Sequence, residues 1–200
     1  MNELQTAISE LQSDNSEIKE LALDKIGTLK PDNALEIIVP FLSDKSPQIR
    51  ETAACNLGDI NDNKCVPYLI QLVKNDLEES VRSEALSALE SYEEPEILNC
   101  LIDEVHREKK SRRPRQIVAK QLLNYDNEQS VDALIILLED KDVYVRIFAA
   151  DSLLKLNRPR LYKVWEKALN DESTYVREIA NKAITNLQNY ENLQTVRRLG

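Results

Sequence analysis

Glycine is almost missing from this 200-residue chain, with three residues, and proline is held to seven. A β-rich protein turns every few residues and spends both freely, so their scarcity argues for an all-α fold. Histidine occurs once, at His106, and cannot by itself build a histidine metal cluster. The three cysteines, Cys55, Cys65 and Cys100, are an odd number with no CxxC pair. They read as reduced thiols rather than a disulfide framework. No apolar run nears the roughly 18 residues of a membrane span, and the opening MNELQTAISELQSDN lacks the basic and then apolar profile of a secretion signal. A cytoplasmic location is expected. Positive charge is short as well: 26 Lys and Arg stand against 35 Asp and Glu, net −9. Nucleic acid is therefore not the expected partner, since phosphate binding needs a basic field. Phosphate-loop, nucleophile-elbow and zinc-protease motifs have no counterpart.

What is present is repetition. Hydrophobic residues make up 42% and charged residues 30%, the profile of a folded chain. A β-branched residue followed by a basic one recurs as Ile18-Lys19, Ile49-Arg50, Val81-Arg82, Val145-Arg146 and Val176-Arg177, with a worn copy at Pro114-Arg115. An Asp precedes most copies, at Asp14, Asp44, Asp76, Asp140 and Asp171. Ala22, Ala53, Ala85, Ala149 and Ala180 follow three residues after the basic anchor, with Val118 in the worn copy. Then come Ile26, Leu57, Leu89, Leu122, Leu153 and Ile184. The anchors Lys19, Arg50, Arg82, Arg115, Arg146 and Arg177 lie 31 to 33 residues apart.

Within each copy this spacing places the apolar residues on one face of a helix, here named B. A leucine-, isoleucine- and valine-rich A helix precedes each: 2–11, 33–42, 64–74, 96–108, 130–139 and 160–170. Links such as Lys30-Pro31, 59–63 and Asn157-Arg158-Pro159 carry the stop and start signals. A two-helix unit of about 31 residues cannot bury its apolar face alone, so the units must stack. The expectation is a single domain over 1–200, an α-solenoid wound as a right-handed superhelix of six helix pairs. Asp in the turn and Arg early in helix B should form a ladder, the carboxylate accepting helix amides and pairing with a neighbouring guanidinium. Trp165, flanked by Leu161 and Leu169, and the A-helix residues Cys65 and Cys100 should be core.

The D-x-x-x-x-V-R-x-x-A-x-x-x-L string of Asp140–Leu153, repeated at Asp171–Ile184, resembles the short HEAT repeats of phycobilisome lyases and their relatives. The resemblance covers nearly the whole chain. It implies a solenoid whose B helices line the concave surface, and a function among scaffolds, pigment-handling chaperones and subunits that attach linear tetrapyrroles to phycobiliproteins. A second HEAT-repeat subunit would be an implied hetero-dimer partner. The Tyr-Cys-His-Gly-Asn motif of some bilin isomerases in the family has no match, because His106 has neither Cys nor Gly beside it.

Positions that stacking does not require carry the functional information. In the fourth repeat the acidic turn is replaced by a basic run. Arg107, Lys109, Lys110, Arg112, Arg113 and Arg115 set six positive charges against Glu108, a net of +5, which leaves −14 for the rest of the chain. This run is either a contact for an acidic partner protein or an anionic group, or a solvated loop neutralised within the molecule. One step off the buried face run Tyr144 and Phe148 in repeat five and Tyr175 and Ile179 in repeat six. These form either an exposed apolar stripe on the concave face or filling between units. The favoured function is a non-catalytic scaffold binding another protein, with no cofactor. The second reading is a phycobilin lyase subunit or bilin chaperone that holds a tetrapyrrole such as phycocyanobilin transiently. The third is an iron–sulfur or thiol-linked assembly factor using Cys55.

Overall fold

The computed structural model describes residues 2–107 and 111–199, with side chains to Tyr190. Lys109 and Lys110 of the basic run lie outside the described residues. All regular structure there is helical, in six pairs. The A helices are α1 (Glu3–Glu10), α3 (Ala34–Ile38), α5 (Val66–Asn75), α7 (Pro95–His106), α9 (Glu128–Leu137) and α11 (Tyr162–Ala168). The B helices are α2 (Ser16–Leu29), α4 (Pro47–Ile60), α6 (Glu79–Leu89), α8 (Arg112–Gln121), α10 (Val143–Leu156) and α12 (Thr174–Leu199). The helices gather into two compact units, unit 1 up to Glu104 and unit 2 from Val105.

Proline decides where the A helices are imperfect. The 33–42 helix is expected as one element, but Pro40 cannot donate the amide that an α-turn needs. The chain therefore runs as α3 and then tightens into a 3-10 turn over Val39–Ser43. Helix ends follow the link residues. Asn61 and Asn157 close α4 and α10 in the left-handed conformation that asparagine tolerates, and Lys30 closes α2 in the same way before Pro31.

The repeat spacing sorts the core as expected. Ala22, Ala53, Ala85, Val118, Ala149 and Ala180 are all fully buried, because a short side chain lets the next helix approach. Leu57, Leu122 and Leu153 are buried beneath them, as are Trp165, Cys65 and Cys100. The first repeat departs: Ile18, expected inside, is 41% exposed. The B helices α4 and α6 approach closely at Gly58, where a Cβ would stand 2.9 Å from the Ala88 Cβ and 3.0 Å from its Cα.

The ladder forms inside each unit. In unit 1, Lys19 Nζ donates to Asp44 at 3.0 Å, and Arg50 donates to both oxygens of Asp76 at 2.6 and 2.9 Å. In unit 2, Arg115 donates to Asp140 at 2.7 and 3.3 Å, and Arg146 to Asp171 at 2.9 and 3.1 Å. Each anchor therefore reaches the Asp of the following repeat. That Asp also accepts the amide two residues on: Ser46, Glu78, Asp142 and Ser173. The guanidiniums of Arg50, Arg82, Arg146 and Arg177 additionally donate back to the carbonyl six residues earlier. The fourth repeat has no turn Asp to offer Arg82. Buried Glu104 stands 3.9 Å away in its place.

Burial pushes the Asp44 and Asp76 carboxyls up, but the Ser46 amide and Lys19 on one, and Arg50 and the Glu78 amide on the other, outweigh it. Both pKa values end below the ordinary 3.8. Groups depressed in the folded state lend stability that is whole above the unfolded value and is lost as pH falls toward the folded one. Asp76→Asn should therefore lower stability at about pH 6 and flatten its decline between about pH 5 and pH 2, read from urea midpoints across that range. Gly58→Ala gains about 1 kcal/mol of helix propensity but forces α4 from α6, a cost of about 1–3 kcal/mol. A net loss is expected in urea titration, and Ala88→Gly should be less costly in that background than alone.

Candidate functional site

The outward faces of α8, α10 and α12 in unit 2 hold most of the residues singled out by sequence. Ser111 precedes α8, and Arg112 and Arg113 in its first turn are exposed. In the next repeat Asp142 caps α10, its carboxylate accepting the amides of Tyr144 at 3.0 Å and Val145 at 3.3 Å. The cap sets the helix phase: Val145 turns into the core and Tyr144, one residue earlier, turns out at 54% exposure.

The same cap draws α8 toward it. Arg112 Nη1 stands 3.9 Å from the Asp142 carboxylate, and its guanidinium carbon lies 5.9 Å from the centre of the Tyr144 ring. Gln116, one turn on, donates to Asp142 at 3.5 Å. Further along the same two helices, Lys120 Nζ sits 4.1 Å from the centre of the half-buried Phe148 ring. Two cations of one repeat thus cover two rings of the next, at about 0.5–1 kcal/mol each. Tyr175 is 68% exposed and Ile179 half-buried at the equivalent positions of α12.

The basic run and the aromatic stripe, separate in the sequence, are therefore one surface. Arg115 does not belong to it. Its side chain is 2% exposed and locked on Asp140, so it is a rung of the ladder and no partner can reach it. Arg107 is half-buried just beyond α7. Sequence reasoning passed over Lys120. The signal was available: it stands five residues after the anchor Arg115, one outward turn of α8 from Gln116. What hid it is that its ring partner belongs to the next repeat, 28 residues on in sequence.

A different environment surrounds Cys55 on the outward face of α4. Partial burial and then the carboxylates Glu84, Asp59 and Asp24 push its pKa up to about 11 from 9.0. The thiol stays protonated at neutral pH, which opposes thiolate nucleophilicity and metal ligation alike. Among the described residues no group of three or more His, Cys, Asp and Glu side chains is placed to hold a metal ion. None of the helices described is long and apolar enough to cross a membrane.

The family model for HEAT repeats matches residues 4–90 and 98–185. The chain belongs to the HEAT repeats. Solved HEAT-like and armadillo structures superpose on most of it. The complex of CpcE and CpcF of phycocyanin lyase from Nostoc sp. PCC7120 is 22% identical, with TM-score 0.65 over 90% of this chain and 75% of that one. A designed armadillo repeat protein in complex with the peptide (KR)4 is 18% identical, with TM-score 0.64 over 93% of this chain and 100% of that one. Human deoxyhypusine hydroxylase is 18% identical, with TM-score 0.51 over 93% and 84%. At these identities the likeness speaks for the fold. No curated protein matches the sequence significantly.

With its pKa pushed up to about 11, Cys55 holds far less thiolate at neutral pH than an ordinary thiol would. Alkylation of Cys55 by iodoacetamide should accordingly be slow. Glu84→Gln should speed it several-fold at fixed pH, by removing one of the charges that oppose ionisation. An unchanged rate would assign the whole shift to burial.

Proposed function

We propose that this HEAT-repeat chain is a non-catalytic scaffold that docks another protein, through an acidic segment, on the outward face of α8, α10 and α12. The observation that carries the reading is the pairing of Arg112 with Tyr144 and Lys120 with Phe148 on an accessible helix face. Rigid rings next to fixed cations are the usual anchors of protein interfaces. They offer apolar area at small entropic cost and select the charge of what approaches. No nucleophile with an adjacent base stands among these side chains, and repeat deviations concentrated on one face suit recognition better than turnover.

The bilin-handling reading rests on the same face. Arg112, Arg113 and Lys120 would meet tetrapyrrole propionates as readily as protein carboxylates, and the CpcE–CpcF complex shares the fold. The thiol-based reading loses its basis with a protonated Cys55.

One experiment separates these readings. Proteins retained from the native host by the wild type are compared with those retained by Arg112→Glu/Lys120→Glu/Tyr144→Ala. The expected result is a partner retained by the former and weakened about tenfold or more in the latter, as for a hot-spot cluster. Identical retention by both would remove the site from the reading. A shifted absorbance band when the pure protein is mixed with phycocyanobilin, lost in the same variant, would transfer the face to bilin handling.

A further inference from the structure

Charge is divided between the two units far more sharply than within them. Unit 1 carries 8 Lys and Arg against 22 Asp and Glu, a net of −14, and unit 2 carries 18 against 13, a net of +5. The whole molecular excess of negative charge therefore belongs to unit 1.

The division repeats at the outward B-helix positions. Counted from the basic anchor, these fall two before, two after, five after and nine after. In unit 1 they hold Glu17, Asp24, Asp59 and Glu84, with no cation and no aromatic residue. Asp24, Asp59 and Glu84 come from α2, α4 and α6 and all three act electrostatically on Cys55, so these three lie on one side of unit 1. In unit 2 the same positions hold Arg113, Lys120, Lys155 and Lys182 against a single carboxylate, Asp151, which pairs with Lys155 at 2.6 Å. The apolar side chains of Tyr144, Phe148 and Tyr175 lie among them. Two surfaces built on one repeat plan thus have equal spacing and opposite charge.

We propose that the acidic B-helix face of unit 1 is a ligand for the cationic, aromatic B-helix face of unit 2 on a second copy of this chain. The inference rests on reading the unit 2 face as a docking surface. Both faces repeat with the same period, so carboxylates on successive helices of one copy meet cations on successive helices of the other. Unit 1 against unit 1 would set −14 against −14, so charge selects unit 1 against unit 2. The pair also covers the face offered to an acidic partner, so partner and second copy compete, and the partner must outbid unit 1 in charge or apolar contact.

Sedimentation of the purified chain tests this at about 0.1 M and about 1 M salt, where the screening length falls from about 10 to about 3 Å. The wild type should be a dimer in the first and dissociate toward monomer in the second. Arg112→Glu/Lys120→Glu takes unit 2 from +5 to +1 and puts carboxylates on its cationic face, and Asp24→Lys/Asp59→Lys takes unit 1 from −14 to −10 and puts cations on its acidic face; all four side chains are exposed, so the fold is retained, as circular dichroism would verify. Each variant alone should be monomeric. Mixed in equal amounts they should pair, because the unaltered unit 1 of one variant meets the unaltered unit 2 of the other. A wild type that is monomeric at both salts overturns the proposal, whatever the retention experiment shows about other partners. A dimer that survives in both variants overturns it too, since another surface must then hold it.

Discussion

The contact on which the rest depends is the one between a B-helix guanidinium and the turn carboxylate of the following repeat. In Arg50–Asp76, Arg115–Asp140 and Arg146–Asp171 both guanidinium edge nitrogens are used. The same carboxylate accepts the amide two residues beyond it. One Asp thus ends a turn, opens a helix and fixes the neighbouring helix in register. Arg suits this role better than Lys because its planar fork meets two oxygens at once. Lys19, the anchor of the first repeat, makes only the single bond to Asp44. Such buried pairs are weak evidence for net stability, since desolvation offsets their attraction. Their contribution is to exclude other registers, because a slipped helix would leave a buried charge unpaired.

The interruption of this ladder makes room for function. Arg82 has no turn Asp ahead of it and turns to Glu104 and to the carbonyls of Asp76 and Leu77. Arg115, at the head of the next B helix, donates to the Ser111 carbonyl at 2.5 Å. With the turn released from its structural carboxylate, residues 105–113 can carry positive charge. The consequence reaches the next repeat, where the exposed Arg112 and Lys120 lie over the rings of α10.

How far the sequence could be read follows from this grammar. Asp, Arg, Ala and the aliphatic residue each answer a local constraint of stacking, so the helix pairs, their spacing and the rungs were legible by counting. Pro40 is equally visible, but the apolar run around it reads as one continuous helix and masks the break. Arg115 was assigned both to the ladder and to the surface patch, and charge density in a run cannot separate the two. Position in the repeat can, and it sends Arg115 inward. Lys120 was invisible for the opposite reason. It is unremarkable within its own helix and acquires meaning from Phe148, one repeat away. Relations along a helix are written in the sequence; relations across helices need the stacking first.

The division of charge shows what stacking adds. Within the sequence the basic run looks like an island in an acidic chain. Once the chain is divided at Glu104, the residues after the run are nearly neutral and the acidic excess all lies before it. A repeat protein keeps its outward positions free of packing demands, so they can drift or be selected in charge without cost to the core. Here unit 1 filled them with carboxylates and unit 2 with cations and rings. Burial and then the neighbouring carboxylates hold the Cys55 thiol protonated, and those carboxylates carry the charge that would recognise a cationic face.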